Sequence, residues 1–97
     1  MAELATKRIL VAVDLGPQSA NALTWARWFA MQFAASVDVL HTTKEGRAYI
    51  DRQIQRLAKE VLGDVPFAVS TQEGNAVEVI GSVARERRTG LVIIGDD

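Results

Sequence analysis

The run Ile9-Leu10-Val11-Ala12-Val13 sets five apolar residues in succession. An extended segment of this kind has no polar side to turn toward water. It needs cover on both faces, which a parallel sheet provides when helical crossovers lie on each side of it. A second such run, Leu91-Val92-Ile93-Ile94, stands near the other end of the chain. Whatever lies between them must therefore supply helices as well as further strands.

It does so in strict alternation. The first strand ends in a turn at Asp14-Leu15-Gly16-Pro17, and residues 19–34 read as a helix. At 100° per residue, Ala22, Leu23, Ala26, Phe29, Ala30 and Phe33 share one face. Trp28 and Met31 point away from that face, and Trp25 lies on its flank. Val37 to Thr42 is the next strand, and residues 44–62 carry a second helix whose apolar face is Ile50, Ile54, Leu57, Ala58 and Val61. Gly63 is its stop. A third strand is expected over 65–71, and because Pro66 cannot donate to a ladder the strand should lie at a sheet edge or begin there irregularly. Asn75 with Glu78 three residues on forms a variant capping box. The helix it opens is expected to bury Val77, Ile80, Val83 and Ala84, with Arg85, Arg87 and Arg88 at the negative end of its dipole and Gly90 as its stop. Leu91 to Ile94 is a last buried strand. The order β-α-β-α-β-α-β makes this a single α/β domain over residues 1–97, with right-handed crossovers.

Composition narrows the function. The chain has 97 residues, 48% apolar and 24% charged, as an ordinary globular chain does, with a net charge of −1. That balance gives no reason to expect nucleic acid or an anionic membrane as partner. Without cysteine, disulfides, thiol catalysis and thiolate metal sites are excluded; with one histidine, a zinc site is not expected. No apolar run reaches the ~20 residues of a membrane helix, and the first eight residues do not form a signal peptide. A cytoplasmic protein is the expectation.

The set Ile9-Leu-Val-Ala-Val-Asp14, Ser19, Ala22-Leu23, Trp25-Ala26 and Val37-Asp-Val-Leu-His41 resembles the opening of a universal stress protein. Glu73-Gly74, Val79-Ile80, Ala84-Arg85-Glu86 and Leu91-Val-Ile-Ile-Gly95 are similar to that family's third helix and fourth strand. The resemblance implies the adenine-nucleotide α-hydrolase-like architecture: an open parallel sheet, here of four strands in the order 3-2-1-4, with helices on both faces. It also implies a crevice at the carboxyl ends of the strands in which many members hold ATP. Mapped residue by residue, the cofactor-binding positions are Val13, Asp14, Thr42, Gly74 and Gly95. Gly16 stands where many members have serine.

Each of these residues has an ordinary structural role beside the functional one. Asp14 caps a turn as readily as it meets a ligand, and Gly74 serves a tight turn. His41 has no serine–aspartate pattern around it and reads as structural, so no catalytic residue is assigned. The family's phosphate loop, fourth helix and fifth strand follow the fourth strand, and this sequence ends two residues after Gly95. The domain is accordingly expected to be shortened after its fourth strand, to have lost ATP as cofactor or to hold it weakly, and to present Leu91–Ile94 as an apolar edge. Self-association through that edge, with Trp28 and Met31 as a further contact, is the leading functional expectation: a non-enzymatic binding or regulatory domain. The alternatives are a nucleotide-binding stress-response protein whose pocket another subunit completes, and a fragment of a longer member.

Overall fold

The structure, a computed structural model, describes residues 7–14, 16–43 and 48–95. Leu15, Lys44 and the closing Asp96-Asp97 lie outside the described residues, as does the side chain of Ile50. The elements are β1 (Arg8–Val13), α1 (Pro17–Phe33), β2 (Ser36–Thr43), α2 (Ala48–Leu62), β3 (Phe67–Glu73), α3 (Ala76–Glu86) and β4 (Leu91–Ile94). All strand pairs are parallel, and the sheet order is β3-β2-β1-β4, as expected.

Two cores form because β1 is apolar on both faces and β2 adds Val37 and Val39 to one side and Leu40 to the other. On one face Ile9, Val11, Val13, Val37 and Val39 meet α1 and α2 through Leu23, Ala26, Ile54, Ala58 and Leu62. On the other, Leu10 and Leu40 meet Val83 of α3. Right-handed crossovers dictate this split, since the chain moves one way from β1 to β3 and back again to β4.

Several local expectations are corrected. Pro17 belongs to α1, at its first turn, where a missing N–H costs nothing, so the helix starts two residues before Ser19. β3 begins at Phe67 rather than Val65. Pro66 thus precedes the strand, and its carbonyl accepts from Val37 N–H at 2.9 Å. Val77 is 80% exposed. Six residues before Val83, it falls about 120° away from it around the helix, and Val79 takes the inward place instead. Gly90 does not stop α3. Arg88 takes the left-handed conformation (φ 54°), with Arg88 N–H donating to Arg85 O and Thr89 N–H to Ala84 O, a Schellman ending. Gly90 N–H instead donates to Arg8 O at 2.9 Å and leads into β4.

β4 is an edge and is not fully buried. Leu91 and Ile93 are half-buried against the α1 side, while Val92 (38%) and Ile94 (58%) are exposed. On α1, Trp25, Trp28 and Met31 are all exposed. Trp28 rests edge-on against Phe29, with ring centroids 5.0 Å apart, and Phe29 stacks on Phe33 at 6.3 Å.

Candidate functional site

Because the strands are parallel, their carboxyl ends share one end of the sheet. Val13 is in register with His41, Thr42 with Gln72, and Ala12 with Ile94. This brings Val13, Asp14, Thr42, Gly74 and Gly95 to the same end. The crevice expected for an open sheet lies between β1 and β4, where the chain's direction across the sheet reverses. Asp14 and Gly95 flank it beside the first turns of α1. Thr42 and Gly74 sit one and two strands away, at about 4.8 Å per strand.

Asp14 is exposed, but part of its carboxylate is engaged in the turn. Its Oδ1 accepts from Gly16 N–H at 2.7 Å and from the Ser19 hydroxyl at 3.2 Å. Asp14 N–H donates to Ser19 Oγ at 3.1 Å. α1 has no side-chain N-cap bond and no acidic residue in its first turn, so this carboxylate is the anion that its positive end meets. Ser19, fully buried on the face of α1 that carries Ala22, Leu23 and Ala26, locks the arrangement. A serine on an otherwise apolar helix stripe was the signal for this role.

The other positions have plain structural reasons. Val13 is buried in the core on the α1 side. Gly74 has φ +137°, and a Cβ there would lie 3.0 Å from Val79 Cγ2. Gly95 N–H donates to Ala12 O at 3.1 Å. A Cβ on Gly95 would come within 3.1 Å of Gln18 O and 3.2 Å of Ala22 Cβ, so the glycine lets the chain pass against α1. A groove of about 320 Å³ runs from Gly95 along Ile93, Ile94 and Trp25. The described strand ends and the turns they enter carry Asp14 and Glu73 and no lysine or arginine.

Charge is concentrated at the opposite end of the sheet, which sequence reasoning missed. Asp38, on the α3 face of β2, is 6% exposed. Arg8 Nε and Nη2 reach its Oδ2 at 3.2 and 3.0 Å, and Arg87 Nη1 lies 3.3 Å from Oδ1. Arg87 thus pairs with a specific carboxylate rather than only complementing the helix end. The signal was an aspartate inside an apolar strand, facing an arginine thirty residues earlier. A cavity of about 630 Å³ also lies at this end, with Lys7, Arg27 and Asp64 among its lining. The last residue of α2, Leu62, and Ala34 just past α1 also line it.

His41 is buried, and its Nδ1 has no hydrogen-bond partner among the described residues. Those residues contain no group of three or more histidine, aspartate or glutamate side chains placed to hold a metal. No described helix is long and apolar enough to cross a membrane.

Solved structures share this architecture. The protein Rv1636 from Mycobacterium tuberculosis H37Rv superposes with TM-score 0.77 at 19% identity, over 96% of this chain and 73% of that one. A universal stress protein in complex with cAMP gives 0.77 at 22% identity, over 91% and 71%. A universal stress protein from Archaeoglobus fulgidus DSM 4304 gives 0.73 at 20%, over 89% of this chain but 31% of that one. No curated protein matches the sequence. The profile of the universal stress protein family matches residues 5–96, which take in all four strands and all three helices, and the chain belongs to that family.

Proposed function

We propose that this chain is a non-enzymatic, cytoplasmic binding or regulatory domain that acts by self-association through β4. One observation carries the reading: β4 is a sheet edge on which Val92 and Ile94 are exposed, with no lysine or proline in the strand to discourage pairing. Antiparallel pairing of two β4 strands about a two-fold axis would satisfy the edge and cover both residues. A groove lined by Trp25, Ile93 and Ile94 lies along the same strand on its α1 side.

Sedimentation equilibrium of the 97-residue chain tests this. A dimer is expected at tens of micromolar by the usual range for modest interfaces, and Ile94→Lys should shift it to monomer without loss of helical signal. A clean monomer well above micromolar concentration would sink the proposal.

A second reading, nucleotide binding at the carboxyl ends of the strands, is favoured by the structural neighbour solved with cAMP and by Asp14 beside the β1–β4 crevice. Asp14, Thr42, Gly74 and Gly95 are the residues it would use, with Val13 behind them. Saturable binding of ATP with magnesium that is lost in Asp14→Ala would support it.

A further inference from the structure

The second reading leaves open which part of a nucleotide the crevice recognises, and the hydrogen bonds around Asp14 and Gly95 bear on that. We infer, resting on that reading, that the crevice takes an uncharged nucleoside in preference to its phosphates.

A phosphate at the carboxyl ends of parallel strands is ordinarily held by free backbone amides at a helix N-terminus and by cations. Here the amides of Gly16, Ser19 and Gly95, beside the β1–β4 crevice, are all engaged, and the described strand ends carry no lysine or arginine. The positive end of α1 already holds an anion of the chain's own. Asp14 Oδ1 receives Gly16 N–H at 2.7 Å and the Ser19 hydroxyl at 3.2 Å. Gly95 N–H, the amide at the end of β4, is used within the sheet, donating to Ala12 O at 3.1 Å. Gly95 passes close beside α1, where a Cβ on it would come within 3.1 Å of Gln18 O and 3.2 Å of Ala22 Cβ. The described strand ends and turns supply two carboxylates, Asp14 and Glu73, and no lysine or arginine. A phosphate placed here would face like charge from the described residues.

The same arrangement suits a hydrogen-bond donor. Asp14 is exposed, and its second oxygen, Oδ2, accepts no hydrogen bond from a described residue. Ser19, being fully buried, holds the carboxylate in one orientation through both Asp14 N–H and Oδ1. A fixed, charged acceptor of this kind matches ribose hydroxyls or an exocyclic amine, and such charge-assisted bonds are stronger than neutral ones. Ser19 is thus a positioning residue for Asp14.

The test is calorimetric titration of the 97-residue chain with adenosine, AMP and ATP, without divalent metal, at ionic strengths giving Debye lengths of about 30 and about 8 Å. Adenosine is expected to bind about tenfold more tightly than AMP or ATP at the lower ionic strength, the repulsion adding about 1.4 kcal/mol. The gap should narrow at the higher ionic strength, because screening acts on phosphate repulsion and not on a neutral ligand. Asp14→Asn keeps an oxygen for Gly16 N–H and Ser19 while removing the charge. It should weaken adenosine and bring the three ligands level, with the circular dichroism unchanged. Ser19→Ala should weaken adenosine without closing the gap. AMP or ATP binding as tightly as adenosine to the unaltered chain would overturn the inference while leaving the second reading standing. Should Lys44→Gln with Arg47→Gln then abolish that phosphate affinity, the phosphate would be placed with those residues, which follow β2 outside the described set. Binding of none of the three would refute the second reading itself.

Discussion

Removing both arginines that face Asp38 should destabilise the fold by more than the two single losses combined. The Asp38 side chain is 8% exposed, whereas those of Arg8 and Arg87 are 44% and 26% exposed. The carboxylate therefore depends on its partners for solvation, while each guanidinium keeps access to water. Arg87→Ala leaves Arg8 with its Nε and Nη2 on the carboxylate, and should cost about 0.5 kcal/mol, as a part-exposed pair does. Arg8→Ala removes the two-pronged partner and should cost about 1.5 kcal/mol, within the range for hydrogen bonds to charged groups. The double variant strands a buried charge, a situation that typically costs about 3–5 kcal/mol. The excess over the sum of about 2 kcal/mol is the signature of a shared carboxylate. Urea denaturation followed by far-ultraviolet circular dichroism, at fixed protein concentration, measures it. Fluorescence is the poorer probe, because both tryptophans are already exposed in the folded state. A double variant within about 0.5 kcal/mol of the summed singles would refute the reasoning, since contacts that act independently add to that precision.

Two further outcomes follow from the backbone and the third helix, both measured by the same denaturation. Gly74→Ala should cost about 1–3 kcal/mol, because φ +137° is barely open to other residues and the new methyl would meet Val79 Cγ2 at 3.0 Å. Gly63→Ala, at φ +58° with open space around it, should cost less, about 1 kcal/mol. Val83→Ala should cost about 2 kcal/mol, whereas Val77→Ala should stay within about 0.5 kcal/mol.

The architecture was legible in the sequence because apolar runs and helix stripes are local signals that the tertiary structure had no cause to override. The unbroken runs at Ile9–Val13 and Leu91–Ile94 required a covered parallel sheet, and the helical spacings located the faces of α1 and α2. Element ends were less legible. Pro17 reads equally as turn or first helical turn, and only the backbone of α1 decides between them. Val77 and Val79 both lie at the start of α3, and choosing between them needs the helix phase that Val83 fixes against Leu10 and Leu40. Asp38 escaped because its partners come from distant segments, and pattern reading sees charge only along one element. The candidate site was legible as a set of strand ends. That Ser19 orients Asp14, and that Gly95 makes way for α1, depend on how β1, β4 and the start of α1 converge.

The sheet has two edges, and the proposed self-association would not use them equally. β3 is seven residues long, yet its carboxyl half is Ser70-Thr71-Gln72-Glu73, and Pro66 sits just before its start. An incoming strand there would meet polar side chains and, at one end, a residue without an N–H. β4 is only four residues long, which limits the hydrogen bonds any partner can gain, but all four are branched apolar residues. Its exposed pair, Val92 and Ile94, lies on the α3 side in register with Leu10 and Ala12. α3, however, packs over Leu10 and Leu40 rather than over β4. Burial of apolar area at about 25 cal/mol per Å² rewards cover at β4, and little of that reward is available at β3. Pairing at β4 should therefore respond sharply to a charge at Ile94, while a lysine in place of Gln72 on β3 should leave the oligomeric state unchanged. Dissociation by the β3 change, with the β4 change silent, would move the interface to the other edge.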